Sequence, residues 1–336
     1  MKRIGLIILI FGIGSLAMNN ALKDNGEYEL IIPKGFPQPN IPEDNQLTEA
    51  RVELGRRLFF DPIMSRDTSV SCATCHRPEF AFTDGLPVSM GIRGEFVTRN
   101  SPTLTNVAYQ DSGLLLDGGV PTLEMQILVP VQEHSEFDFE LRLIANRMKN
   151  DTTYVRLSQE AYDQAPSPFV ITRSISAFER TLISGNSRYD QYINGDKKAL
   201  TKEEQKGMDL FFNQLHCAEC HGGFNFTNLT VQNNGLYTYP YPLDSGKMRV
   251  SKDEADRDLF KVPTLRNIAV TAPYMHDGSI ATLEDVVDHY DKGGMKHQHK
   301  NELIKPLNLT GKQKKQLVAF LKSLTDEEFI DPKKYQ

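Results

Sequence analysis

Apolar and polar positions along this chain recur mostly with a helical period. Residues 47–60 and 201–212 each place apolar side chains three and four apart behind a polar start, the pattern of an amphipathic helix. Ser167 and Pro168 open a third helix, with the stripe Ile171, Ile175, Phe178 and Leu182. Thr310 precedes a fourth, with Leu317, Phe320, Leu321 and Leu324. No run alternates long enough for a large sheet, and a short hairpin within 224–250 is the most the pattern allows. Proline-rich residues 33–45 read as an entry loop, and residues 185–200 as the join between two domains, 21–190 and 191–336. The expected fold is all-α.

Residues 1–20 follow a different rule. Lys2 and Arg3 precede an apolar run over 4–13, and Ser15, Leu16 and Ala17 form a small-residue exit. That is the pattern of an export signal, cut near Ala17. The rival is a retained anchor, but the run is short for about 30 Å of hydrocarbon. A periplasmic location follows, without membrane insertion once the signal is removed. The remaining composition is ordinary for a soluble chain, and 336 residues suffice for two cores. A net charge of −6 argues against nucleic acid as the main partner.

The chemistry lies in the cysteines. The chain has four, and all fall in CATCH (72–76) and CAECH (217–221). Paired CxxC in an exported chain raises disulfides or zinc. Each pair, however, runs directly into a histidine, His76 or His221, and CxxCH is the attachment pattern of c-type haem. Two thiols a turn apart, Cys72 with Cys75 and Cys217 with Cys220, reach the two vinyl groups. The imidazole that follows is placed to ligate the iron. Two covalent haems are expected, one in each domain.

The copies extend beyond those motifs. GRRLFF (55–60) matches GMDLFF (207–212), PTLTNVA (102–108) matches PTLRNIA (263–269), and LLDGGVPTLE (115–124) matches MHDGSIATLE (275–284). Matching blocks in one order indicate an internal duplication. In that alignment Tyr290 falls opposite Pro130. A phenolate can ligate ferric iron and proline cannot, so one haem gains a tyrosine ligand while the other keeps an open face. The repeat alone leaves a core tyrosine and a helix-stopping proline equally open.

Taken together, LGRRLFFDP (54–62), CATCH, PVSMG (87–91), RNSPTLTN (99–106), LDGG (116–119), CAECHGG and TAPYMHDGS (271–279) resemble the bacterial di-haem cytochrome c peroxidase and MauG family. The resemblance runs from about residue 47 to the C-terminus. It implies two cytochrome c-like domains, a peroxidatic haem in the first and an electron-relaying haem in the second. Hydrogen peroxide is the implied substrate, and a small periplasmic redox protein (cytochrome c or cupredoxin) the implied donor. A homodimer is compatible with the sequence.

By the same resemblance Glu136 and Gln126 belong to the peroxidatic pocket, where a carboxyl group moves a proton between the peroxide oxygens. Glu133 and His134 are lower-ranked alternatives. Asn100, Thr271 and Pro273 match a calcium site between the haems. His276 is expected near a haem edge. His289 is the rival of Tyr290, and His297 and His299 are expected in solvent. Three departures stand out. Ile92 replaces a histidine that caps the resting peroxidatic iron, Tyr290 replaces a methionine ligand, and Leu116 replaces a tryptophan between the haems. The first two favour a MauG-like oxidase acting on a protein, and the third opposes it. A di-haem electron carrier or redox sensor is the non-enzymatic rival.

Overall fold

The computed structural model describes residues 26–110, 113–239 and 243–335. The expected export signal lies outside them. The first half contains α1 (Glu49–Phe60), α2 (Cys72–Cys75), α3 (Leu123–Gln126), α4 (Leu128–Gln132), α5 (Leu141–Lys149), α6 (Thr152–Tyr162) and α7 (Pro168–Arg180). Then follow α8 (Arg188–Ile193), α9 (Lys202–Asp209), α10 (Cys217–Cys220), α11 (Met248–Ser251), α12 (Leu283–Asp291) and α13 (Gly311–Lys322). The chain is mostly helical, and among the described residues no helix is long and apolar enough to cross a membrane.

The long helices start where the sequence places a cap. Thr48, Ser167, Thr201 and Thr310 each accept a backbone N–H of the first turn through the side-chain oxygen. Their apolar stripes then meet in pairs, α1 on α7 and α9 on α13. Each pair closes over a glycine. A Cβ on Gly55 would overlap Ser174 O, and one on Gly207 would overlap Gln316 O, so only glycine lets the helices come this close.

Two apolar cores result. Leu54, Leu58, Phe59, Ile144, Ile171, Ile175 and Phe178 fill the first, and Phe211, Phe226, Val287, Phe320 and Leu324 the second. The last residues return to the first core, where Phe329 and Tyr335 pack their rings on Phe82 at 5.6 and 5.0 Å.

Two expectations change. Among the described residues no hairpin forms within 224–250; β1 (Val231–Gln232) pairs antiparallel with β2 (Phe260–Lys261), beyond α11. Two-residue strands carry no period, and their partner is chosen by tertiary contacts such as Lys261 N–H to Leu116 O at 2.7 Å. The helix over 201–212 does not stay α-helical either. After Asp209 it widens into a π-turn, Leu210–Gln214, just ahead of CAECH.

Candidate active site

Both CxxCH segments open onto one cavity of about 770 Å³, whose walls include Cys72, Cys75 and His76 together with Cys217, Cys220 and His221. Each CxxC forms a single helical turn ending at its histidine, with His76 N–H donating to Cys72 O and His221 N–H to Cys217 O. The imidazoles are then held from behind. Nδ1 of His76 lies 2.8 Å from Phe82 O, and Nδ1 of His221 lies 3.2 Å from Phe226 O. Both phenylalanines have left-handed φ, 62° and 50°. A carbonyl only accepts, so Nδ1 carries the proton and Nε2 keeps its lone pair for a metal.

Burial also holds both imidazoles below their ordinary pKa, in the neutral form that ligates. The four cysteines are unpaired thiols, raised by burial, Cys75 to about 11 and Cys217 to about 12. Two neutral thiols a turn apart, an imidazole aimed with Nε2 free and a large cavity fit c-type haem at each motif.

The cavity wall also carries Gln126, Pro130, Glu133, Ser135 and Glu136, the last close enough for its charge to raise the thiols of Cys72 and Cys75. Glu136 is pushed up to about 7, first by burial and then by the charge of Glu133. Its position is set by the PVSMG segment. Ile92 N–H donates to Glu136 O at 3.0 Å, and Gly91 passes so near that a Cβ would overlap Ser135 O. Ile92 itself is 1% exposed and is not a lining residue. His134 points into solvent, with Nδ1 2.7 Å from Asp138 Oδ1.

Tyr290, on α12, lines the cavity with its hydroxyl 3.4 Å from Asn234 Nδ2, and burial raises its pKa. Met275 Sδ reaches the same amide at 3.3 Å. His289 does not line the cavity; its Nε2 is 3.0 Å from Asn234 O. Leu116, Phe260 and His276 also line the wall, the last two stacked at 3.8 Å between ring centroids. Asn100, Thr271 and Pro273 share that wall; Asn100 Nδ2 donates to Leu86 O at 2.8 Å, and its N–H to His276 O.

His297 corrects an expectation. It is buried, not solvated, with Nε2 2.9 Å from Asp258 Oδ2. His299 is half-buried beside Tyr239. The KHQHK composition reads as solvated, but the loop folds under Tyr239.

Several cavity residues escaped the sequence reading: Asn234, Met275, Lys261 and Glu179. Of these, Met275 alone lies in one of the repeated blocks. Glu179 follows Phe178 of the α7 stripe and looks like an ordinary flanking charge.

Two CxxCH turns on one cavity, in a mostly helical chain, mark a di-haem c-type cytochrome. The chain belongs to the di-haem cytochrome c peroxidase family, whose members are oxidoreductases. The family profile, described as Di-haem cytochrome c peroxidase, matches residues 49–198. Methylamine utilization protein MauG of Methylorubrum extorquens is 35% identical over 88% of this chain and 83% of its own. Cytochrome c551 peroxidase of Pseudomonas aeruginosa is 32% identical over 84% of this chain and 83% of its own. The crystal structure of a MauG-like protein associated with microbial copper homeostasis superposes with a TM-score of 0.86 at 36% identity, covering 92% of this chain and 99% of that one.

Proposed function

We propose that this chain is an exported di-haem peroxidase that reduces hydrogen peroxide to water with electrons from a small periplasmic redox protein. One observation carries the reading: a carboxyl group of raised pKa, Glu136, shares a cavity with the CATCH histidine and with Pro130, which has no ligating atom. When bound, one haem supplies the iron on which peroxide is reduced and the other relays electrons to it.

Cys72 and Cys75 would hold the first haem and His76 Nε2 its iron; Cys217, Cys220 and His221 would hold the second, with Tyr290 as a further candidate ligand on the same cavity wall. Lys261 is a half-buried cation on the wall, suited to a propionate, whereas Arg249 is already paired with Asp117 Oδ2 at 2.6 Å. The Glu136 carboxyl group would move a proton from one peroxide oxygen to the other, while a bound haem would supply the electrons for O–O cleavage. Gln126 orients the peroxide. Calcium belongs at Asn100, Thr271 and Pro273, supported by their common position on the wall.

We also infer two cytochrome c-like domains, 21–190 and 191–336, related by duplication. The glycine crossings at Gly55 and Gly207 and the left-handed phenylalanines behind His76 and His221 support this.

Spectra of the ferric protein test the reading. The haem at His76 is expected to be high-spin and to react with peroxide without prior reduction of the other. Two low-spin haems inert to peroxide would instead mark an electron carrier or sensor. A MauG-like oxidase is the second reading, favoured by Tyr290 on the cavity wall and opposed by Leu116. Turnover of peroxide with a reduced cytochrome c or cupredoxin, against modification of a protein, separates the two.

Tyr290→Met is expected to raise the potential of the second haem and to change only its spectrum, since a thioether favours ferric iron less than a phenolate does. If neither changes, tyrosine is not the ligand. Met275 is then next to test, because His289 Nε2 already lies against Asn234 O.

A further inference from the structure

The proposed chemistry leaves a buried carboxyl group on the cavity wall without a task. Glu179, on α7, is 4% exposed and lines the same cavity as His76 and Glu136. Its Oε2 is buried with no hydrogen-bond partner. The adjacent cation does not serve it, because Arg180 donates from both Nη atoms to Glu124, at 2.7 and 3.1 Å. An ionised carboxylate buried without a cation is costly, so packing alone does not account for glutamate here.

The second half of the molecule shows what packing requires at this place. Gly55 meets Ser174 and Phe178 of α7 as Gly207 meets Gln316 and Phe320 of α13. That register sets Ile175 against Leu317 and Glu179 against Leu321, and all four line the cavity. A leucine fills the position beside the second motif. Beside the first motif the chain carries an acid.

The groups around Glu179 are few. α3 offers Glu124, already paired, and α2 offers Cys72, whose own acidity is affected by the charges of Glu179 and Glu136. The turn Val107–Tyr109 offers only Tyr109, whose hydroxyl donates to Pro37 O at 3.0 Å. α1 and α5 turn apolar residues to the core and keep Glu49, Arg51, Glu53, Arg56, Arg57, Arg142, Arg147 and Lys149 exposed or half-exposed.

We propose that Glu179 is a redox-linked proton site. It binds one proton from solvent when the haem at His76 gains an electron and releases it when peroxide next oxidises that haem. The proposal rests on the peroxidase reading. The balance of that reaction motivates it: hydrogen peroxide, two electrons and two protons give two waters. Glu136 only moves a proton between the two peroxide oxygens, so both net protons must enter with the electrons.

Burial supplies the driving force. It pushes Glu179 up to about 8, with Arg180 opposing and Glu124 adding. A ferric centre adds positive charge to the cavity and favours the carboxylate, and reduction removes that charge and favours the acid. The pH window therefore extends downward from about 8.

Spectroelectrochemical titration of the holoprotein at several pH values tests this. The potential of the His76 haem is expected to fall with rising pH in that window, approaching a tenfold change in its electron equilibrium per unit, about 59 mV for one electron. In a Glu136→Gln background, where the other raised carboxyl no longer titrates, adding Glu179→Gln, or Glu179→Leu on the pattern of Leu321, is expected to abolish the slope and leave both visible spectra intact. Glu136→Gln alone is expected to retain it. A slope that survives both Glu179 variants in that background, a slope lost in Glu136→Gln alone, or a flat parent potential overturns the proposal. A His76 haem inert to peroxide sinks the peroxidase reading instead, and peroxide spectra show that independently of the potentials.

Discussion

Glu136→Gln is expected to lower peroxide turnover by about 10²–10⁴-fold, the usual range for a lost general acid–base. Glutamine keeps the size and polarity of the side chain and removes its proton chemistry. The backbone that holds it should not respond, because Ile92 N–H bonds the carbonyl of residue 136 and not its side chain. Both haems should stay attached, and the resting spectrum should match the parent's. The pH profile adds a second check. Burial raises Glu136 to about 7, so it is protonated below that pH and ionised above it. The ionised form accepts the first proton, so kcat/KM in the parent should climb through about pH 7. In the variant that inflection should vanish. Parent-like turnover across the range would exclude Glu136 and pass the role to Glu133, which also lines the cavity.

Asp190→Asn is expected to cost about 3–5 kcal/mol of stability, as breaking one side of a buried ion pair does. Asp190 and Arg266 are both almost fully buried, joined by two bonds of 2.8 and 2.9 Å. Arg266 also donates to Phe224 O and lies over the rings of Phe36 and Phe226. Removing the carboxylate charge strands the guanidinium in that cage. The damage should reach the second haem first, because Phe226 O is the carbonyl behind His221. Urea midpoints followed at each haem band measure it. A companion double variant with Arg266→Met should lose less than the two single losses added together. A loss below about 0.5 kcal/mol for Asp190→Asn, ordinary for a surface site, would remove the pair from any structural role.

Much of the site was legible because the relevant chemistry is local. The CxxCH spacing is a property of five consecutive residues, and a single turn is enough to place two thiols and an imidazole. The stripes of α1, α7, α9 and α13 were equally plain, since an amphipathic period and a capping oxygen are written within about a dozen residues. Tyr290 and Pro130 came from aligning the copies, and both do line the cavity.

Other residues had no such signal. Ile92 reads as a pocket residue by its place after PVSMG, yet it is buried outside the cavity wall. His297 reads as solvated among lysines, yet it faces Asp258 in the interior. Glu179 reads as one more charge beside a stripe. Its burial depends on α3 and the CATCH turn, which lie more than fifty residues earlier in the chain.

By itself, then, the sequence determined the two CxxCH motifs, the helical elements, the matching blocks and the family, because each is encoded in short-range spacing or order. Only the tertiary structure decided that both motifs open onto one cavity, that β1 pairs beyond residue 250, that Phe329 and Tyr335 close the first core, and that one acid stands where the matching helix has a leucine. Those outcomes depend on which faces meet. That choice is settled by burying apolar area across distant segments and by leaving few polar groups unpaired, and neither is a property of any one segment.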